Sequence, residues 1–266
     1  MPDADRSTGL LGAAPCYAEP AARLCRRFQL PLLRQEPQSG FFLRLGSNGL
    51  ELLQAGPSAP GPIRVDFLSG ALDHRRRYGG GRGQPLARAA GMKRGHNPFI
   101  WAATAGLGRE AFVLASLGAQ VTLCERSPVL TALLDQALLL ASTDADIGGW
   151  IKLRMHLVHG DSSELLASLP FGQKPEVVYL DPMYPPGKSA VLVKKEMRAL
   201  QQLLGQDPNS EQLLDIALAA ATRRVVVKRP RRAGWLYNRQ PDSCIESKKT
   251  RYDVYMTNQQ SVTTQG

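Results

Sequence analysis

The sequence predicts an α/β protein: a doubly wound parallel sheet preceded by a small N-terminal α+β element. Three observations predict it. From Phe99 onward, short apolar runs alternate with segments of helical periodicity, the order that builds a parallel sheet with helices on both faces. The run Val177-Val178-Tyr179-Leu180 is apolar throughout, fit for burial in the middle of such a sheet. At 266 residues the chain buries one large core with a smaller appendage.

Residues 1–15 are polar and rich in Gly, Ala and Pro, and read as a loose tail. "AEPAARLCRRF" (Ala18–Phe28) reads as a short helix. "GFFLRLGSNGLELLQAG" (Gly40–Gly56) alternates and turns at Ser47-Asn48-Gly49, a β-hairpin signature. "APGPIRVDFL" adds a loop and another strand. The arginine- and glycine-rich stretch "DHRRRYGGGRGQPLARAAGMKRGHNP" then leads to a domain boundary near residue 95, with a second unit over 96–258 and a tail over 259–266.

In the second unit "FIWAATAG" is a strand, "REAFVLASLG" a helix closed by Gly118 and "AQVTLCE" a strand. "SPVLTALLDQALLLAS" is a helix with Ser127 as N-cap and Pro128 in its first turn. "MHLVHGD" and "EVVYLD" are further strands, "SAVLVKKEMRALQQLL" and "SEQLLDIALAAA" helices, "RRVVVKRP" a strand, and "YDVYMT" closes the unit.

A formal net charge of +10 points to a polyanionic partner, nucleic acid foremost. The four cysteines (Cys16, Cys25, Cys124, Cys244) form no C-x-x-C pair, which argues against a zinc site or a disulfide framework and suits a reducing cytosol. The first ten residues lack the layout of a signal peptide. The most apolar helix is too short for a bilayer and carries Asp135. A cytoplasmic protein without metal or membrane attachment is the expectation.

Three strand ends carry polar groups in sequence. "TAGLGRE" (Thr104–Glu110) places Gly106 and Gly108 where the backbone approaches a ligand at a helix N-terminus. Glu125 ends the next strand, near the ~20-residue spacing at which an acid holds a ribose. Asp161, Ser162 and Ser163 end the third, placed to meet an adenine ring and its amine. Together they make an adenosine-sized pocket. A nicotinamide dehydrogenase binds at the same place, but the full G-x-G-x-x-G is missing, and such an enzyme gives no reason for "DPMYPP" (Asp181–Pro186) or for the positive charge. That loop, stiffened by prolines at the carboxyl end of a strand, is where open sheets place ligands.

Taken together, "TAGLGRE", "CERSP", "HGDSS" and "LDPMYP" resemble the ordered motifs of class I S-adenosylmethionine-dependent methyltransferases, and "DPMY" is similar to the (D/N)PP(Y/F) signature of enzymes that methylate exocyclic amines of bases. "VDFLSGALDHRRRYGGGRGQPLARAAG", "ATAGLGREAFVLASLG", "DADIGGW", "VVYLDPMYP", "AVLVKKEMR" and "RVVVKRP" resemble more closely the bacterial small-subunit ribosomal RNA methyltransferase J family. The resemblance runs from about Ile63 to Tyr255. It implies a Rossmann-like methyltransferase sheet, S-adenosyl-L-methionine as cofactor, 16S rRNA or the 30S subunit as partner, and methyl transfer to N2 of a guanosine near the 3′ end of 16S rRNA, position 1516. Carried over by position, Gly106, Gly108, Arg109, Glu110, Glu125, Arg126, Asp161, Ser162, Ser163 and Asp181 contact the cofactor. The sequence departs from the family pattern at Ala102, usually an acid, and at Glu110, usually an aspartate.

In that chemistry Asp181 and the Pro182 carbonyl accept the amine N–H groups, and Tyr184 stacks on an extruded base. Arg75, Arg76, Arg77 and Arg82 of the arginine run, with Lys194, Lys195, Lys228, Arg229, Arg231 and Arg232, are expected on RNA phosphates. Two other functions fit the same motifs: adenine-N6 methylation of RNA or DNA, and RNA binding without catalysis on a methyltransferase scaffold.

Overall fold

The structure, a computed structural model, describes residues 4–57, 59–182, 195–205 and 210–257. Its first part holds α1 (Ala4–Ser7), β1 (Gly9–Gly12), α2 (Ala18–Phe28), β2 (Phe41–Gly46) and β3 (Gly49–Gln54). The expected hairpin is present. Gly46 faces Gly49 across a two-residue turn, and Gly49 adopts φ +83°, which a side chain would strain. The expected loose tail is not. β1 pairs in parallel with β2, Leu10 is fully buried and Asp5 nearly so. The strand expected in "APGPIRVDFL" reduces to one bridge between Ile63 and Leu52. Beyond it the Asp66 carboxylate accepts from the Leu68 and Ser69 N–H groups and turns the chain.

The arginine run is a helix, α3 (Gly70–Tyr78), followed by α4 (Pro85–Ala89). Packing is continuous across the boundary expected near residue 95. Phe67, Leu86, Ala87 and Met92 share one hydrophobic cluster with Ile100, Phe112 and Leu123, and Phe67 stacks on Phe112 with ring centroids 5.0 Å apart.

The elements that follow are β4 (Phe99–Ala102), α5 (Arg109–Ser116), β5 (Gln120–Glu125), α6 (Pro128–Ser142), α7 (Gly148–Arg154), β6 (Met155–His159), α8 (Ser162–Ser168), β7 (Val177–Leu180), α9 (Lys195–Leu204), α10 (Ser210–Ala220), β8 (Arg224–Pro230), β9 (Ser243–Glu246) and β10 (Thr250–Met256). They build a seven-stranded sheet in the order β6-β5-β4-β7-β8-β10-β9. β4 to β8 run parallel, while β10 is antiparallel to both β8 and β9. β9, "SCIE", was not foreseen: it is a largely exposed edge strand with no apolar periodicity to reveal it.

Both faces of the sheet are covered, so its central strands are apolar on each side. Val177 and Tyr179 point into the cluster with α4 and α5, and Val178 and Leu180 into the one with α8 and α10. α6 explains its own composition. Leu134, Ala137 and Ala141 face the sheet, while Val129, Leu130 and Leu133 face the small sheet together with α2 and α9. A helix buried on two sides reads as apolar nearly all round, and each fully buried leucine there stabilises the fold by about 1.5–3 kcal/mol.

Candidate active site

Chain order reverses between β4 and β7: β5 and β6 follow β4 to one side, and β8 follows β7 to the other. Helices diverge at such a point and leave a crevice at the carboxyl ends of the strands. Residues 103–108, Glu125, Asp161 and Asp181 all leave the sheet at that edge.

The two glycines of the first turn have different reasons to be glycine. Both are left-handed, at φ +57° for Gly106 and +69° for Gly108. A Cβ on Gly108 would meet Leu134 Cδ2 at 2.8 Å and Leu123 Cδ2 at 3.2 Å, so core packing excludes a side chain. A Cβ on Gly106 would meet nothing within 4 Å. Gly106 therefore borders open space beside the N-terminus of α5, where a ligand can approach the backbone.

Glu125 is buried. Its carboxylate accepts from the N–H of Gly106 at 2.8 Å and of Ser127 at 2.9 Å. Burial pushes its pKa up to about 7, against the pull of those two hydrogen bonds, and the Asp5 carboxylate adds to the rise. The acid expected on a ribose thus braces the glycine turn. Asp5 was not foreseen at all. It lies in the N-terminal helix α1 and accepts from Ser127 Oγ at 2.8 Å, while that same hydroxyl caps α6 by accepting from the Leu130 N–H.

At the end of β6, the Asp161 carboxylate caps α8 through the Ser163 N–H. Ser162 is buried and donates to the Ala103 carbonyl at 2.7 Å, bracing β4 against β6. Arg109, half-buried, opens α5, and Arg126 is exposed, with its carbonyl facing His159 Nε2 at 3.2 Å. Ala102, where an acid is usual in the family, is buried in β4.

Three charged groups meet beyond β7. Lys228 on β8 donates to Asp181 Oδ2 and to Glu110 Oε1, each at 2.7 Å. Arg75 of α3 reaches Glu110 at 4.0 Å and Gln84 at 3.2 Å. Burial raises the Asp181 pKa to about 6, with Lys228 pulling it down and Glu110 pushing it up. Burial would also raise Glu110, but Lys228 and Arg75 hold it below the usual range. The two carboxylates raise the Lys228 pKa despite its partial burial. The Asp181 side chain keeps 31% exposure, so it is accessible from the crevice. Its backbone N–H donates to Thr104 Oγ1 at 2.7 Å, joining the loop after β7 to the glycine turn.

Lys228, expected on phosphate, is thus engaged by two carboxylates. Other expected phosphate contacts are engaged too. Arg82 donates to the carbonyls of Lys93, His96 and Leu117 and to the Asn97 side chain. Arg76 and Arg77 are both held by Asp73 and Asp146. Arg229 is buried and donates to the Gly234 carbonyl. Pro182 is half-buried next to Asp181. Tyr184 and Lys194 lie outside the described residues, and Lys195 opens α9. Among the described residues no group of His, Cys, Asp and Glu is arranged to hold a metal, and no helix is long and apolar enough to cross a membrane.

The residues fit S-adenosylmethionine: an open glycine turn at a helix N-terminus, with Glu125, Asp161 and Asp181 along the same edge. Replacing Glu125 by Ala is expected to weaken cofactor binding by about 1–3 kcal/mol, since it removes the acceptor that braces Gly106 and leaves that N–H unsatisfied. Calorimetry with S-adenosylmethionine, alongside circular dichroism, checks this; an unchanged dissociation constant in folded protein removes Glu125 from the site.

Comparison with known proteins agrees with the geometry. A family model described as putative SAM-dependent methyltransferase matches residues 23–257. The ribosomal RNA small subunit methyltransferase J of Tolumonas auensis is 51% identical over 236 residues, covering 89% of this chain and 92% of that protein. Its namesake from Chromobacterium violaceum is 47% identical over 252 residues, covering 94% and 96%. Among solved structures, a SAM-dependent methyltransferase from Neisseria gonorrhoeae superposes with TM-score 0.77 at 35% identity, covering 95% of this chain and 97% of that one. The fold is accordingly the Rossmann-like class I methyltransferase fold, and the cofactor is S-adenosylmethionine. A chain matched along nine-tenths of its length, with the open glycine turn and the Asp181 carboxylate at one sheet edge, belongs to the ribosomal RNA small subunit methyltransferase J family of S-adenosylmethionine-dependent methyltransferases.

Proposed function

We propose that the protein methylates the exocyclic N2 of a guanosine near the 3′ end of 16S rRNA, in free rRNA or the 30S subunit. The observation that carries the reading is Asp181, its carboxylate held by Lys228 at 2.7 Å and its backbone N–H donating to Thr104 Oγ1 at the glycine turn. The relatives' shared name supplies the substrate class. An intact Lys228–Asp181 pair also speaks for catalysis over RNA binding alone.

When bound, S-adenosylmethionine supplies an electrophilic methyl group on a sulfonium. A guanine amine is a poor nucleophile because its lone pair is delocalised into the ring. Attack requires the nitrogen to pyramidalise, with its N–H bonds aimed at acceptors. The Asp181 carboxylate and the Pro182 carbonyl are those acceptors, and Asp181 takes the proton that the nitrogen sheds after its new N–C bond forms. Lys228 keeps Asp181 ionised in a setting that otherwise favours its neutral form. Tyr184 would hold the extruded base by stacking, and alignment of nitrogen, methyl and sulfur supplies much of the remaining rate.

The test incubates the protein with methyl-labelled S-adenosylmethionine and 30S subunits lacking the modification, then identifies the labelled nucleoside by mass spectrometry. N2-methylguanosine is the expected product. N6-methyladenosine would transfer the mechanism to an adenine substrate, and RNA binding without incorporation would remove the catalytic reading.

A further inference from the structure

We infer that the RNA strand leading to the target base runs over the loop after β8 and the turn between β9 and β10, and not over the arginine run of α3. The inference rests on the RNA substrate proposed above. The arginines of α3 are already answered by Asp73, Asp146, Gln84 and Glu110. Using them on phosphate would first break those pairs. By contrast, Arg232, Lys248 and Lys249 are exposed, and none of the three side chains makes a hydrogen bond or ion pair among the described residues.

These cations form one surface. The Arg231 N–H donates to the Lys249 carbonyl at 3.1 Å, and Arg251 donates to the Arg231 carbonyl at 3.3 Å. Thr250 at the start of β10 faces Pro230 at the end of β8, so both segments sit at the sheet edge that carries Asp181. The nearby acids are spent: Glu246 pairs with Arg231 at 2.8 Å and Asp215 with Arg239 at 2.7 Å. What remains is net positive, and Arg232 in it lies four residues beyond Lys228, the partner of Asp181.

The same loop presents two aromatic rings. Trp235 is 41% and Tyr237 38% exposed. Leu236 between them is buried in the cluster with Leu180 and Val227 and anchors the loop. The loop is also pinned by Tyr255, whose hydroxyl donates to the Arg239 carbonyl at 3.0 Å. Tyr237 and Asn238 both stand in the left-handed region, at φ 51° and 58°. Two consecutive non-glycine residues there persist only where the surroundings impose them, a pattern that clusters at functional sites. Fixed aromatic rings beside unanswered cations are what a single strand needs: stacking for bases and charge for phosphates.

Binding to a transcript of the 16S rRNA 3′ domain, measured over a range of salt concentrations, tests this. The triple variant Arg232→Gln, Lys248→Gln, Lys249→Gln is expected to flatten the salt slope by about 2 units, since each single-strand phosphate contact contributes about 0.7. Trp235→Ala is expected to weaken binding about 5- to 150-fold, the worth of stacking one base, with Trp235→Phe close to the parent. Arg77→Gln should leave the slope unchanged, and calorimetric affinity for S-adenosylmethionine should hold in every variant. A parent protein that methylates RNA, with an unaltered slope in the triple variant, overturns the surface alone. Flattening by Arg77→Gln instead returns the contact to α3. A parent that neither binds nor methylates RNA overturns both the surface and the proposed substrate.

Discussion

Asp181→Ala is expected to lower single-turnover methylation by about 10²–10³-fold at saturating cofactor, the scale on which one electrostatic stabiliser acts. In the proposed mechanism the variant removes the acceptor that the amine needs most as it pyramidalises. It leaves the backbone N–H that binds Thr104 in place, so the loop keeps its tie to the glycine turn. Asp181→Asn keeps a neutral carbonyl acceptor and is expected to fall between Ala and the parent. Because Asp181 is also proposed to border the cofactor, cofactor binding is measured separately by calorimetry, and circular dichroism verifies folding. Near-normal turnover in folded Asp181→Ala would sink the mechanism.

The second large effect concerns Lys228. Burial raises the Asp181 pKa to about 6, and the proposed mechanism uses the carboxylate, so turnover is expected to fall as pH drops through that value. Lys228 pulls the pKa down and Glu110 pushes it up. Lys228→Met should therefore move the acid limb of the pH–rate profile to higher pH, and Glu110→Gln should move it to lower pH. Each unit of displacement changes turnover about tenfold at a fixed pH below the limb. Lys228→Arg keeps the charge and should leave the limb near its original place. Loss of Lys228 also leaves two carboxylates facing each other, with Arg75 4.0 Å from Glu110. A broken fully buried pair destabilises by about 3–5 kcal/mol and this one is partly exposed, so less is expected and thermal melting accompanies the kinetics. Limbs that stay put in both Lys228→Met and Glu110→Gln would show that the ladder supports the fold without setting the charge of Asp181.

Much of the fold is legible in the sequence because its signals are local. Apolar strands followed by glycine turns, the Ser127 cap and the two-residue hairpin turn each depend on neighbours a few residues away, and all appear in the structure. The site's edge is legible for the same reason: Gly106, Glu125, Asp161 and Asp181 each stand at or just beyond the end of a parallel strand, and parallel strands share their carboxyl edge. What the residues do there depends on partners far away in the chain. Glu125 turns inward to Gly106, Ser162 to Ala103, and Lys228 crosses from β8 to carboxylates 118 and 47 residues away. Beside the resemblance to an RNA-modifying family, the α3 arginines are expected on phosphate, but folding brings Asp146 against two of them from 70 and 69 residues away. It also folds the N-terminal segment inward, so that Asp5 meets Ser127 across 122 residues. By itself the sequence determined the parallel strands and the edge at which the glycine turn and the carboxylates lie, because these follow from short-range pattern, and its motifs carried the resemblance to the family. Only the tertiary structure decided which charges are already paired and which still face solvent, because an ion pair is set by distance in space, and the sequence carries no measure of that.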